Sequence, residues 1–178
     1  MSVKKEPSGR RSVQVEVEVP GNTQSAVARR AAEVELSSLV EKYAPEHQRL
    51  VAAMRRSLQK RLPTAHEVVY EYANQGAVVA SFSPNEHGYD GVLAIRASAD
   101  GVKLYFTQGK DLPDPEKLLK GSSQTRWIEV EGASTLARPA VAKLVDEAIA
   151  RTPVPFAPTG RGSVIIRSTS AKKKRGSD

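Results

Sequence analysis

Each of the three histidines in this chain stands beside a glutamate: Glu46-His47, His66-Glu67 and Glu86-His87. Such pairs carry the atoms for metal binding or acid–base work. Adjacent residues point in different directions on a helix or strand, however, so no pair converges on one ion. The His-Glu-x-x-His spacing of a zinc site is absent, as is the Gly-x-Ser-x-Gly elbow of a serine nucleophile. Cysteine is missing altogether. That excludes a disulfide scaffold, a thiolate zinc site, an iron–sulfur cluster and a cysteine nucleophile. Gly160-Arg161-Gly162-Ser163 and Gly121-Ser122-Ser123 are glycine-rich. Neither follows a strand and opens a helix in the manner of a phosphate loop. The second, with Arg126, has the makings of a small anion nest. These residues name no catalytic group, no metal site and no cofactor, and the chain is expected to be a binding protein rather than an enzyme.

Two groups of side chains suit binding. Tyr70, Tyr72, Phe82, Tyr105 and Trp127 lie on expected strands, where alternation sends Tyr70 and Tyr72 to one face. They are expected to line an apolar pocket between sheet and helices, with hydroxyl handles for a small organic ligand. The plain alternative is that they pack the core. Arg49, Arg56 and Lys60 share the polar face of an expected helix, and with Arg126 they form a candidate anion-binding set. Their plain alternative is an ordinary solvated surface.

The elements that must position these groups fit one domain, since the chain has 178 residues. Its net charge is +7, which makes nucleic acid a partner to test. The charge is terminal. Residues 1–12 hold four cations against Glu6, and residues 161–178 hold six against Asp178, which leaves −1 for the stretch between. The run Lys172-Lys173-Lys174-Arg175 suits a nucleic-acid contact or, more plainly, a solvated tail. No apolar stretch approaches the roughly 20 residues of a spanning helix, and no apolar core follows the charged start as in a signal peptide. No membrane contact and a cytoplasmic location are expected.

Val13 to Val19 alternates apolar and polar residues, the pattern of a half-buried strand. A helical pattern runs from Thr23 to Tyr43, with Val27, Ala31, Val34, Leu39 and Tyr43 as its stripe and Leu36 and Val40 thickening it. Pro45 opens a second helix that ends before Pro63, with Leu50, Val51, Met54, Leu58 and Leu62 on its apolar face. Strands follow at 67–72, 77–82, 91–96 and 102–106; the Asp100-Gly101 pair signals a hairpin. Asp114, Pro115 and Gly121 are placed to cap, start and end a short helix. A strand at 126–130, a helix at 136–151 and an edge strand at 162–167 complete the chain. Helices grouped about an antiparallel sheet of five or six strands make the fold class α+β.

Several ordered segments resemble the YdhG-like domain family. These are Glu46-His47-Gln48-Arg49-Leu50 through Leu62-Pro63, Glu67-Val68-Val69-Tyr70, Phe82-Ser83-Pro84, Leu112-Pro113-Asp114-Pro115, Leu118-Leu119-Lys120-Gly121-Ser122, Arg126-Trp127-Ile128, Arg138-Pro139-Ala140-Val141 and Val164-Ile165-Ile166-Arg167-Ser168-Thr169-Ser170-Ala171-Lys172. The resemblance spans roughly residues 36–172. It implies an α+β fold with helices on an antiparallel sheet. It also implies either a small ligand held in a cavity or, as in a frataxin-like branch, intracellular iron chaperoning. Many relatives carry Gly-Met-Pro after the first strand, where this chain has Glu71-Tyr72-Ala73-Asn74. The organisation expected is a flexible basic N-terminus at 1–12, one α+β domain at 13–167 and a flexible basic tail at 168–178. The function expected is binding of a small hydrophobic ligand, with iron binding and nucleic-acid or anionic-partner binding as alternatives.

Overall fold

The computed structural model describes residues 24–168. The expected strand at 13–19 and both basic ends, except for residues 161–168, lie outside the described residues. Three α-helices and six strands follow in the order α1 (Ala26–Val40), α2 (Pro45–Arg61), β1 (His66–Tyr72), β2 (Ala77–Ser83), β3 (Leu93–Ser98), β4 (Gly101–Phe106), β5 (Arg126–Glu129), α3 (Pro139–Ala150) and β6 (Val164–Ser168). The strands form one sheet in the order β5-β4-β3-β2-β1-β6. The fold is α+β. The sheet is mixed rather than wholly antiparallel, because β6 pairs parallel to β1. The connection from β5 through α3 carries the chain back across the sheet, so β6 enters in the direction of β1.

Local chemistry accounts for most boundaries. Ser25 caps α1 by accepting from the Ala28 amide. Pro45 opens α2, where its missing N–H costs nothing. The β3–β4 hairpin turns through Ala99-Asp100, with Ser98 opposite Gly101. Gly101 adopts a φ of +129° there, which side chains resist. The short helix expected around Pro115 does not form. Lys117 has a left-handed φ of 52°, which stops helical propagation. Asp114 instead accepts from the amides of Leu118 and Leu119 at 2.9 and 2.8 Å, holding a turn.

All three helices pack on one face of the sheet. Val78, Ala80 and Phe82 of β2, Leu93 and Ile95 of β3, and Leu104 and Phe106 of β4 form a single core with Leu36, Met54, Leu58, Leu144 and Val145 from the helices. The stripe of α1 differs from the expected one. Ala32, Leu36 and Val40 are buried, whereas Val27 and Val34 are 77% and 64% exposed. Val27 and Leu36 are nine residues apart, so at 3.6 residues per turn they project on opposite sides of the helix. The α1–β6 packing selects the Leu36 side.

Candidate functional site

Strand alternation divides the sheet residues between its two faces. Opposite the core, the register aligns Lys103 of β4, Arg96 of β3, Val79 of β2, Tyr70 of β1 and Arg167 of β6 in one row. The adjacent row begins with Trp127 of β5 and Tyr105 of β4. No described helix lies over these rows. They form a face that is open toward β5, where Trp127, Tyr105, Lys103 and Arg96 are each partly exposed, and covered toward β1, where Val68 in the second row is fully buried.

The Tyr105 and Trp127 rings have centroids 6.4 Å apart, and those of Tyr70 and Tyr72 are 6.1 Å apart. Lys103 Nζ sits 4.2 Å from the Trp127 ring centroid, and Lys120 Nζ 5.4 Å. Both are within cation–π range. Four strand spacings separate β5 from β1, so the aromatic pairs lie about 19 Å apart. All four rings are half-buried, with part of each available to solvent. Arg96 has no carboxylate partner among the described residues, whereas Lys120 meets Glu129 at 3.5 Å.

The 84–92 loop closes one end of this face. Asn85 holds it, donating to Asp90 at 2.6 Å and accepting from the Gly88 amide. Gly88 passes so close that an added Cβ would stand 2.6 Å from the Tyr70 hydroxyl. Arg167 donates to the Glu86 carbonyl at 2.9 Å and ties β6 to the same loop.

Four of the five residues expected to bind ligand therefore share the open face, and Phe82 does not join them. The β1–β2 register sets Phe82 opposite Glu67 and Tyr70 opposite Val79, which places Phe82 on the helix side, fully buried. Arg49, Arg56 and Lys60 are all exposed along α2, but Arg126 belongs to β5. Its Nε and Nη1 donate to the carbonyls of Ser123 and Gly121, both at 2.6 Å. Those bonds close the 121–126 loop and engage two of the three guanidinium nitrogens of Arg126 within it. Arg96, Lys103 and Arg167 were not among the expected site residues. The signal for them was the same alternation that singled out Tyr70 and Tyr72.

On the helix side lies a buried charge network that sequence spacing does not reveal. Arg55 binds both carboxylate oxygens of Glu33, at 2.8 and 3.0 Å, and both of Glu67, at 3.2 and 2.6 Å. Gln59 adds a bond to Glu67 at 3.1 Å. Burial disfavours the charge on Arg55, yet the two carboxylates outweigh it and raise its pKa. The hydrogen bond from Arg55 lowers the pKa of Glu33. Burial lowers that of His66, whose Nδ1 accepts from the Ser163 amide at 3.0 Å.

Three clefts bear on ligand binding. One of about 480 Å³ lies between β5 and α3, with Ile128, Thr135 and Val141 in its wall. A second, of about 470 Å³, is bounded by Val92, Leu112, Ala148 and the exposed Tyr89. Neither has any of the five expected aromatic residues in its wall. A third, of about 410 Å³, is walled by Arg29, Lys60, Arg161 and Ser163. Among the described residues, no three His, Asp or Glu side chains gather to hold a metal ion, and no helix is long and apolar enough to cross a membrane. No family profile, no curated protein and no solved structure matches the chain.

Proposed function

We propose that this chain is a non-catalytic binding protein that holds single-stranded nucleic acid on the open face of its sheet. The observation that carries the reading is the row of Lys103, Arg96, Tyr70 and Arg167 beside the Tyr105–Trp127 pair. Bases stack on aromatic rings whatever their identity, and phosphates pair with cations between them. A small ligand needs a concavity that buries most of its surface, and a sheet face that no described helix covers suits an extended chain better. The ordered motifs that resemble the YdhG-like family support an α+β binding scaffold and assign it no reaction.

Trp127 is the only tryptophan, so intrinsic fluorescence reports on this face directly. A single-stranded oligonucleotide of about ten nucleotides is expected to quench it. Trp127→Ala removes the optical signal, so its affinity is followed by anisotropy of a labelled oligonucleotide. Loss of one stacking partner costs about 1–3 kcal/mol, which is roughly a fivefold to 150-fold weakening. Binding that survives intact in Trp127→Ala and Tyr72→Ala, yet vanishes when Lys172, Lys173, Lys174 and Arg175 become serine, would move the site to the tail and refute this reading.

A second reading is favoured by the cleft between Ile128 of β5 and Val141 of α3. It lies between sheet and helix, where a small organic ligand was expected from sequence, though with other residues. A thermal-shift screen tests it: a ligand for this cleft raises Tm in wild type and loses that effect in Val141→Trp, which fills the space.

A further inference from the structure

The third cleft stands on the helix side, remote from the aromatic rows, and has features that the open face does not explain. Arg29 of α1, Lys60 of α2 and Arg161 of the loop before β6 all line it. Arg29 Nη1 donates to the Gly162 carbonyl at 2.6 Å. Its pKa is lowered by burial and then by the nearby charge of Arg161, against the opposing pull of Glu33 and Glu67. Neither guanidinium has a carboxylate within ion-pair distance among the described residues.

Glu67 also stands in the cleft wall, with its side chain buried. Its oxygens are already taken by Arg55 and Gln59. Ser163 supplies the second observation. It is only 3% exposed, and its hydroxyl has no hydrogen-bond partner among the described residues. A buried hydroxyl left unpaired is unfavourable, so an unpaired one on a residue in the wall of a cleft that three cations also line needs an explanation.

The loop that carries Ser163 is fixed in place. A Cβ on Gly162 would collide with the Ala65 carbonyl oxygen. The Gly162 amide donates to the Pro63 carbonyl at 3.0 Å, and the Ser163 carbonyl accepts from the Glu67 amide at 2.8 Å. With the Gly162 and Ser163 amides engaged, side chains remain to recognise a ligand.

From this geometry we propose that the cleft binds a phosphoryl oxyanion, with Arg29, Arg161 and Lys60 supplying charge and the Ser163 hydroxyl donating a hydrogen bond. Arginine and lysine meet such oxygens with strong, charge-assisted bonds. The site is independent of nucleic-acid binding on the opposite face. Free phosphate and the terminal group of a small phosphomonoester present the same oxygens, and either fits.

The test is calorimetric titration of the full chain with inorganic phosphate and, in a parallel arm, glycerol phosphate. Sodium chloride at matched ionic strength is the control. Saturable binding of either ligand is expected, and the tighter arm identifies the source. Arg161→Met, at an exposed position, removes a charged contact and is expected to weaken binding at least tenfold. Ser163→Ala separates a binding role from a structural one. It is expected to weaken binding several-fold while leaving the ligand-free protein no less stable to urea. The proposal is overturned if neither ligand gives more heat than matched chloride. It is equally overturned if Arg161→Met and Ser163→Ala bind like the wild type, or if Ser163→Ala loses stability without losing affinity.

Discussion

Replacing Arg55 by methionine isolates the buried charge network. Methionine keeps the unbranched stem of arginine and removes its charge and donors. Side-chain exposure is 11% for Arg55, 2% for Glu67 and 37% for Glu33. Glu33 can therefore recover hydration when Arg55 is lost. Glu67 cannot, and would keep only the Gln59 amide. Breaking a buried pair from one side costs about 3–5 kcal/mol, a large part of the 5–15 kcal/mol typical of a domain. With a urea m-value of about 2 kcal/mol per molar, the denaturation midpoint should fall by about 1.5–2.5 M. The double variant Arg55→Met, Glu67→Leu removes the stranded charge and should recover most of that loss, because well-packed apolar groups often replace an ion pair at little cost. A single-variant loss under about 1 kcal/mol would equal that of a surface pair and refute the claim that Glu67 is desolvated. A double variant as unstable as the single one would assign the loss to packing.

Two further outcomes follow from the loop before β6. The pKa of His66 lies below its ordinary value of 6.5 when the protein is folded, so the unfolded chain takes up the proton first. The stability this contributes is complete above pH 6.5 and is lost as pH falls through 6.5 toward the folded value. Urea midpoints measured either side of pH 6.5 should show that slope. His66→Asn, which retains an acceptor for the Ser163 amide, should flatten it, and an unchanged slope would count against His66 as its source. Gly162→Ala forces a side chain against the Ala65 backbone. Overpacking of this kind costs about 1–3 kcal/mol or more, so its Tm should drop by several degrees, and an unshifted Tm would show that the loop is not seated as described.

The sequence exposes those features whose cause is local. Pro45 at the start of α2, the Asp100-Gly101 turn and the strands expected at 67–72, 77–82 and 102–106 all act within a few residues, and each appears where expected. The parallel β1–β6 pairing was not legible, because it joins residues about 100 positions apart and no local pattern states strand direction. Periodicity also misassigned the stripe of α1. Valines occur on two sides of that helix, and only its docking on β6 decides that Leu36 faces inward while Val27 and Val34 face water. The same limit explains Phe82. Alternation within β2 is visible in sequence, but its phase relative to β1 depends on the register through the Ala73–Gln75 turn. The Arg55 network and the Ser163 cleft combine α1, α2, β1 and the loop before β6, so only the assembled fold reveals them.

Charge distribution sharpens the nucleic-acid reading into a salt dependence. The stretch 13–160 carries a net −1, which alone argues against a polyanion. Four of its eighteen acids, however, are bound in ion pairs on the helix side: Glu33 and Glu67 with Arg55, Glu71 with Lys42, and Asp146 with Arg61. At 0.1 M salt, charges farther than about 10 Å are screened, so a phosphate at the sheet senses the open face rather than the whole molecule. Arg96, Lys103, Lys120 and Arg167 stand there against Glu129 and, in the loop at its end, Glu86 and Asp90. Three to four phosphates neutralised at about −0.7 each give an expected log–log salt slope of about −2 to −3. Replacing Arg96 and Lys103 with methionine should remove about half of that slope. Replacing Arg49, Arg56 and Lys60 on the exposed side of α2 should leave it unchanged. If the two sets of variants behave the other way round, the polyanion lies along the helix, and the aromatic face is packing rather than a binding surface.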